Sequence, residues 1–131
     1  MEKRILFVED DADFRELFAL VVEKALAPEQ LDVAFVGAGS IAEARSLLGA
    51  GGLDAALIDV SLPDGNGLDL VREINDGGVG DHQPTLVLTA NLKTFVAARA
   101  LEMGAMGTLS KMVSMPETVG AIKMLLDAGG G

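Results

Sequence analysis

The chain has 131 residues, of which 50% are hydrophobic and 23% charged, with no cysteine and a formal net charge of −10. That length suits one domain with a real core, and the composition is globular rather than disordered. Lack of cysteine excludes a disulfide scaffold and a thiolate metal site, while the acidic balance argues against direct binding to nucleic acid or an anionic membrane. Only Ile5 to Val8 separate the first charges from the next acids, too short a run for a signal peptide, and nothing approaches a membrane helix. A cytoplasmic setting is expected.

Residues 4–8 read as a first strand. Phe14, Leu17, Phe18, Val21, Val22 and Ala25 then recur at three- and four-residue spacing, which predicts an amphipathic helix. Arg15, Glu16, Glu23 and Lys24 fall on its polar side, and Pro28 ends it. Residues 31–36 predict a second strand closed by Gly37 and Gly39, and Ser40 and Glu43 have capping-box spacing for the helix that follows. A third strand at 55–58 is followed by a turn and a short helix marked by Leu68, Val71 and Ile74. Residues 84–88 give a fourth strand, with Pro84 at its first position, and a helix spans about 95–103. Residues 106–110 form a weak fifth strand, and Ser114 to Glu117 open a last helix whose buried face is Val119, Ile122, Leu125 and Leu126. Strand and helix alternate five times, so an α/β domain is expected, with helices on both faces of a parallel sheet.

The strands end in a telling way. The run Ala55-Ala56-Leu57-Ile58 stops at Asp59, and a turn containing Pro63 and Gly65 follows. A continuous apolar run is what a strand buried on both faces looks like, and an acid at its exit sits where open parallel sheets keep their ligands. The first strand leads likewise into Glu9, Asp10 and Asp11, the fourth into Thr89, and the fifth into Ser110 and Lys111. Singly, each has an ordinary explanation: a helix-capping acid, a turn acid, a strand-end threonine, a solvated lysine. If the strands are adjacent, however, Glu9, Asp10 and Asp59 share one crevice, and two carboxylates at about 4 Å repel by roughly 4 kcal/mol at an effective dielectric of 20. Three need protonation or a cation. An all-oxygen site suits Mg²⁺, and with Lys111 and Thr89 it suits a phosphoryl group.

On these residues the chain resembles the receiver domain of the two-component response-regulator family over essentially its whole length. The resemblance rests on Glu9-Asp10-Asp11, on Asp59 within Leu57 to Gly65, on Thr89-Ala90 and on Lys111. It implies a doubly wound, flavodoxin-like (βα)5 fold with strand order 2-1-3-4-5. It implies that residues 1–128 are the receiver, leaving 129–131 as a glycine tail: a frayed end, a cloning scar or the start of a linker. It also implies that Asp59 accepts a phosphoryl group from a phosphohistidine on a sensor histidine kinase or histidine phosphotransfer protein. Asp10, Asp59 and the Ser61 carbonyl would ligate Mg²⁺, with Glu9 acting through water. Thr89 would bond the phosphoryl oxygen and Lys111 would pair with it. The switch would act on the face of the fourth helix, fifth strand and last helix, controlling an output domain or partner and allowing a homodimer. No enzyme is expected beyond self-phosphorylation and self-dephosphorylation.

Two positions depart from the family pattern: Thr108 stands where an aromatic is usual, and Met112 follows Lys111 where proline is common. The first favours an alternative, a receiver-like interaction module that does not switch. A metal-dependent phosphatase is a lesser alternative, because such enzymes carry their nucleophile after the first strand. A flavin site would meet repulsion between the acidic loop and the cofactor phosphate. His82 reads as solvated, Asp64 and Asp69 as surface or turn acids, and the methionines as mostly core, with Met112 and Met115 as candidate partner contacts.

Overall fold

The computed structural model describes residues 2–90 and 94–130. In chain order its elements are β1 (Lys3–Val8), α1 (Ala12–Leu26), β2 (Val33–Ala38), α2 (Ile41–Ala50), β3 (Ala55–Asp59), β4 (Ser61–Leu62), β5 (Gly65–Asn66), α3 (Gly67–Asn75), β6 (Thr85–Thr89), α4 (Thr94–Glu102), β7 (Gly107–Ser110) and α5 (Met115–Gly130). A single 3-10 turn, Ala27–Glu29, follows α1. Gly131 of the expected glycine tail lies outside the described residues.

Five strands form one parallel sheet in the order β2-β1-β3-β6-β7. Since β6 and β7 are the fourth and fifth predicted strands, this is the expected doubly wound order. The antiparallel pair β4–β5 stands apart from the sheet. It arises inside the Pro63–Gly65 turn, where two residues per strand leave no hydrophobic period to read.

Side-chain alternation decides the layering. Ile5, Phe7, Ala55, Leu57, Leu86 and Leu88 face one way and pack with Val22 and Leu26 of α1 and with Ile122 and Leu125 of α5. Leu6, Val8, Ala56, Ile58 and Val87 face the other way, onto Leu48 of α2, Val71 and Ile74 of α3 and Ala100 of α4. Both faces of β1, β3 and β6 are therefore dry, which is why the middles of these strands, 5–8, 55–58 and 86–88, carry no polar residue. Full burial of each Leu or Ile side chain contributes about 2 kcal/mol. The weakest predicted strand, β7, lies at an edge.

Some expectations are corrected. Leu17 does not join the buried stripe of α1; it is 62% exposed, and only Val22 and Leu26 of that helix are fully covered. The methionines are not mostly core. Met103 is buried, but Met106, Met112, Met115 and Met124 are exposed. Gly37 does not close β2 but lies within it, paired with Phe7.

The helix starts are built largely as read. Ser40 Oγ accepts from Glu43 N at 3.1 Å, and Glu43 Oε1 accepts from Gly39 N at 2.8 Å. Ser114 Oγ accepts from Glu117 N at 3.4 Å. Asp64 proves to be a second cap on α2, accepting from Ile41 N at 2.8 Å and Ala42 N at 3.0 Å. Those two backbone donors hold its carboxyl below the ordinary value of 3.8. A depressed acid stabilises the fold above its unfolded pKa, and that contribution is lost as pH falls from 3.8 through the lower folded value. Asp64→Asn is therefore expected to unfold at a lower urea concentration than wild type at pH 7, with the difference shrinking below pH 3.8. A pH-independent difference would count against this cap.

Candidate functional site

All the predicted side chains meet at the C-terminal edge of the sheet. Glu9 continues β1, its N–H donating to Ala38 O at 2.9 Å. Asp59 is the last residue of β3 and pairs with Leu88. Thr89 ends β6, and the Lys111 N–H bonds its carbonyl at 2.8 Å just past β7. These residues line one open crevice with Asp10, Ser61 and Ala90. Parallel pairing alone brings together groups 102 residues apart.

Within the crevice one carboxylate oxygen from each of Glu9, Asp10 and Asp59 lies within 4.8 Å of the others. Glu9 is 1% exposed and Asp59 6%, whereas Asp10 opens to solvent. Lys111 Nζ donates to Glu9 Oε1 and, at 3.1 Å, to Asp59 Oδ2. It also sits 4.8 Å from the Phe14 ring centroid, an additional hold on the cation. Burial pulls the Lys111 ammonium down, but hydrogen bonds and charges from Glu9 and Asp59 outweigh it, so the group is raised above 10.5. Lys111 is thus a fixed positive charge between two buried acids. Thr89 is buried beside them, and Ser61 lies on the exposed turn strand.

The donor set fits a hard divalent cation: three carboxylates with one open member and, among the described residues, no nitrogen or sulfur ligand beside them. The charge arithmetic agrees. At 4.8 Å and an effective dielectric of about 20, each pair of carboxylates repels by roughly 3 kcal/mol, and one lysine against three carboxylates leaves the crevice with an excess of negative charge that a divalent cation would balance.

Three residues essential to this geometry are not legible as site residues in the sequence. Gly67 begins α3 directly beneath the acceptor: a Cβ there would lie 1.9 Å from Asp59 O and 2.9 Å from Ile58 Cγ2. Its N–H donates to Val60 O at 2.7 Å, tying the turn back to the strand. Arg15, assigned to the polar side of α1, is half-buried and donates to the Glu9 carbonyl. It lies over Gly37. The available signal was position: Arg15 lies four residues after the cap Asp11, hence on the helical face that returns to the β1 exit.

An open parallel α/β sheet thus carries an acidic crevice and a paired lysine at its strand exits. The chain belongs to the response regulator receiver domain family, whose model matches residues 5–123. It is 36% identical over 113 residues to the response regulator protein PilR of Pseudomonas aeruginosa, covering 86% of this chain and 24% of that one. Against a putative response regulator from Chloroflexus aurantiacus the TM-score is 0.84, with 27% identity over 97% of this chain and 99% of that one. A response regulator protein from Burkholderia pseudomallei, solved with a phosphorylated aspartic acid, a calcium ion and citrate, gives a TM-score of 0.70 and 27% identity, covering 95% of this chain and 66% of that one. The chain spans about a quarter to a half of the length of the curated relatives it matches. Receiver domains are signalling domains that histidine kinases phosphorylate and that bind Mg²⁺ at an acidic site. Among the described residues, no helix is long and apolar enough to cross a membrane.

Proposed function

We propose that this chain is the phospho-accepting domain of a cytoplasmic phosphorelay, with Asp59 as acceptor and a sensor histidine kinase or histidine phosphotransfer protein as donor. One observation carries the reading: the Asp59 carboxylate ends the central strand within 4.8 Å of two further acids and 3.1 Å from Lys111. The phosphorylated aspartic acid of the Burkholderia relative supports it. An Asp59 oxygen attacks phosphorus, the bond from phosphorus to the donor imidazole nitrogen breaks, and that nitrogen keeps the electron pair and picks up a proton. Lys111 offsets charge on the incoming oxygens, and the Thr89 hydroxyl donates to one of them. Asp10, Asp59 and the Ser61 carbonyl would hold Mg²⁺, with Glu9 acting through water, and the ion would supply charge neutralisation and orientation.

Phosphorylation adds between one and two negative charges where Lys111 is already shared between two acids. Lys111 directly follows β7, so redistributed charge there biases the α4–β7–α5 face toward an output domain, a partner protein or a second copy. A non-switching module is favoured by one feature. Thr108, where the family usually carries an aromatic, is half-buried on β7 and lines an apolar groove with Met106, Ala121 and Met124. Amide exchange in α5 that is identical with and without phosphate on Asp59 would select that second reading.

The chemistry is tested by intact mass after incubation with a small acyl-phosphate donor. One phosphate adduct is expected in wild type with Mg²⁺, and none without Mg²⁺ or in Asp59→Asn. Equal labelling of Asp59→Asn would overturn the assignment.

A further inference from the structure

Arg15 occupies a place that none of the phosphoryl chemistry above uses. It is half-buried on α1 and donates through Nη1 to the backbone carbonyl of Glu9. Its side chain runs across Gly37 of β2, so closely that a Cβ there would lie 2.6 Å from Arg15 Nε and 3.1 Å from Cδ. Gly37 has no positive φ, so its backbone would accept any residue; the approach of Arg15 is what asks for glycine. Among the described residues Arg15 forms no ion pair, although Glu9, Asp10 and Asp11 are all close in sequence. A guanidinium at the rim of an acidic crevice is thus committed to a neutral carbonyl.

That carbonyl belongs to the peptide joining Glu9 to Asp10, one step beyond the last β1–β2 bond at Glu9 N. The Glu9 side chain is separately held by Lys111 and by Asp11 N at 3.3 Å. Asp10 is different. It is exposed, and its carboxylate accepts no hydrogen bond among the described residues, so only its backbone fixes where it points. We propose that Arg15, seated on Gly37, is a positioning residue that locks the Glu9–Asp10 peptide and thereby aims Asp10 at the divalent cation. This rests on the reading of the acidic crevice as a Mg²⁺ site. Gly37 is then the seat of a support that reaches the site without touching metal or phosphate, as partners that orient ligands do in metal centres.

Calorimetric titration with Mg²⁺ alone, in the full chain, separates the possibilities. Gly37→Ala and Arg15→Ala are each expected to weaken Mg²⁺ binding about tenfold, the lower end of the range for orienting partners. The double variant should bind no more weakly than Arg15→Ala, because the alanine methyl harms only by displacing Arg15. Metal-free urea midpoints of Gly37→Ala and wild type should coincide. Wild-type affinity in both single variants would overturn the positioning role while leaving the metal site standing. A Gly37→Ala loss that persists in full without Arg15 would also overturn it, since the damage would then lie in the strand. A wild-type chain that takes up no Mg²⁺ would overturn the metal reading itself, and this inference with it.

Discussion

Gly67→Ala is expected to destabilise the domain by about 3 kcal/mol, the upper end of ordinary overpacking costs. The added methyl would stand 1.9 Å from the Asp59 carbonyl oxygen and 2.9 Å from its carbon, and both belong to backbone that cannot rotate away. Relief requires moving either the start of α3, held by the bond from Gly67 N to Val60 O, or the end of β3, held by pairing with β6. Each movement displaces Asp59. Phosphate uptake should therefore fall together with stability, even under conditions where the variant remains folded. The chain has neither Trp nor Tyr, so far-ultraviolet circular dichroism in urea is the suitable probe. A midpoint within about 0.5 kcal/mol of wild type, the size of a neutral surface change, would contradict the close approach.

Lys111→Met should separate stability from chemistry. Removing the ammonium leaves Glu9 and Asp59, at 1% and 6% exposure, without their shared cation. Repulsion of roughly 3 kcal/mol per carboxylate pair then acts against folding, lessened where water reaches the crevice. The metal-free variant is expected to lose about 2 kcal/mol. Mg²⁺ supplies positive charge at the same place, so the variant should gain more stability from Mg²⁺ than wild type does, while taking up phosphate far more slowly. Equal urea midpoints without metal, and equal gains with it, would show that Lys111 does not balance these acids.

The sheet was legible because both faces of β1, β3 and β6 are buried, so each strand is written as an unbroken apolar run that ends at the crevice. That same ending marked Glu9, Asp59, Thr89 and Lys111, and parallel pairing brought them together. Exposure within a helix was less legible. Leu17 falls on the apolar stripe of α1, yet α5 and the sheet cover only part of that stripe. Met106 and Met124 are helix- or strand-compatible apolar residues whose burial depends on what lies beside an edge strand, and β7 leaves them open. Arg15, Gly37 and Gly67 were hidden for another reason. Their roles are distances between segments, such as a guanidinium over a strand or a helix start beneath a carbonyl, and no local pattern encodes them.

The central claim is that Asp59 is the phospho-acceptor, and one measurement addresses it most directly. Acyl phosphates are reduced by borohydride to alcohols, so a phosphorylated aspartate becomes homoserine, which tandem mass spectrometry of the digested chain locates by residue. After treatment with an acyl-phosphate donor and Mg²⁺, homoserine is expected at position 59 and at no other acid. Homoserine at position 10 or 64 instead, or none alongside a stable phosphate adduct, would contradict the account.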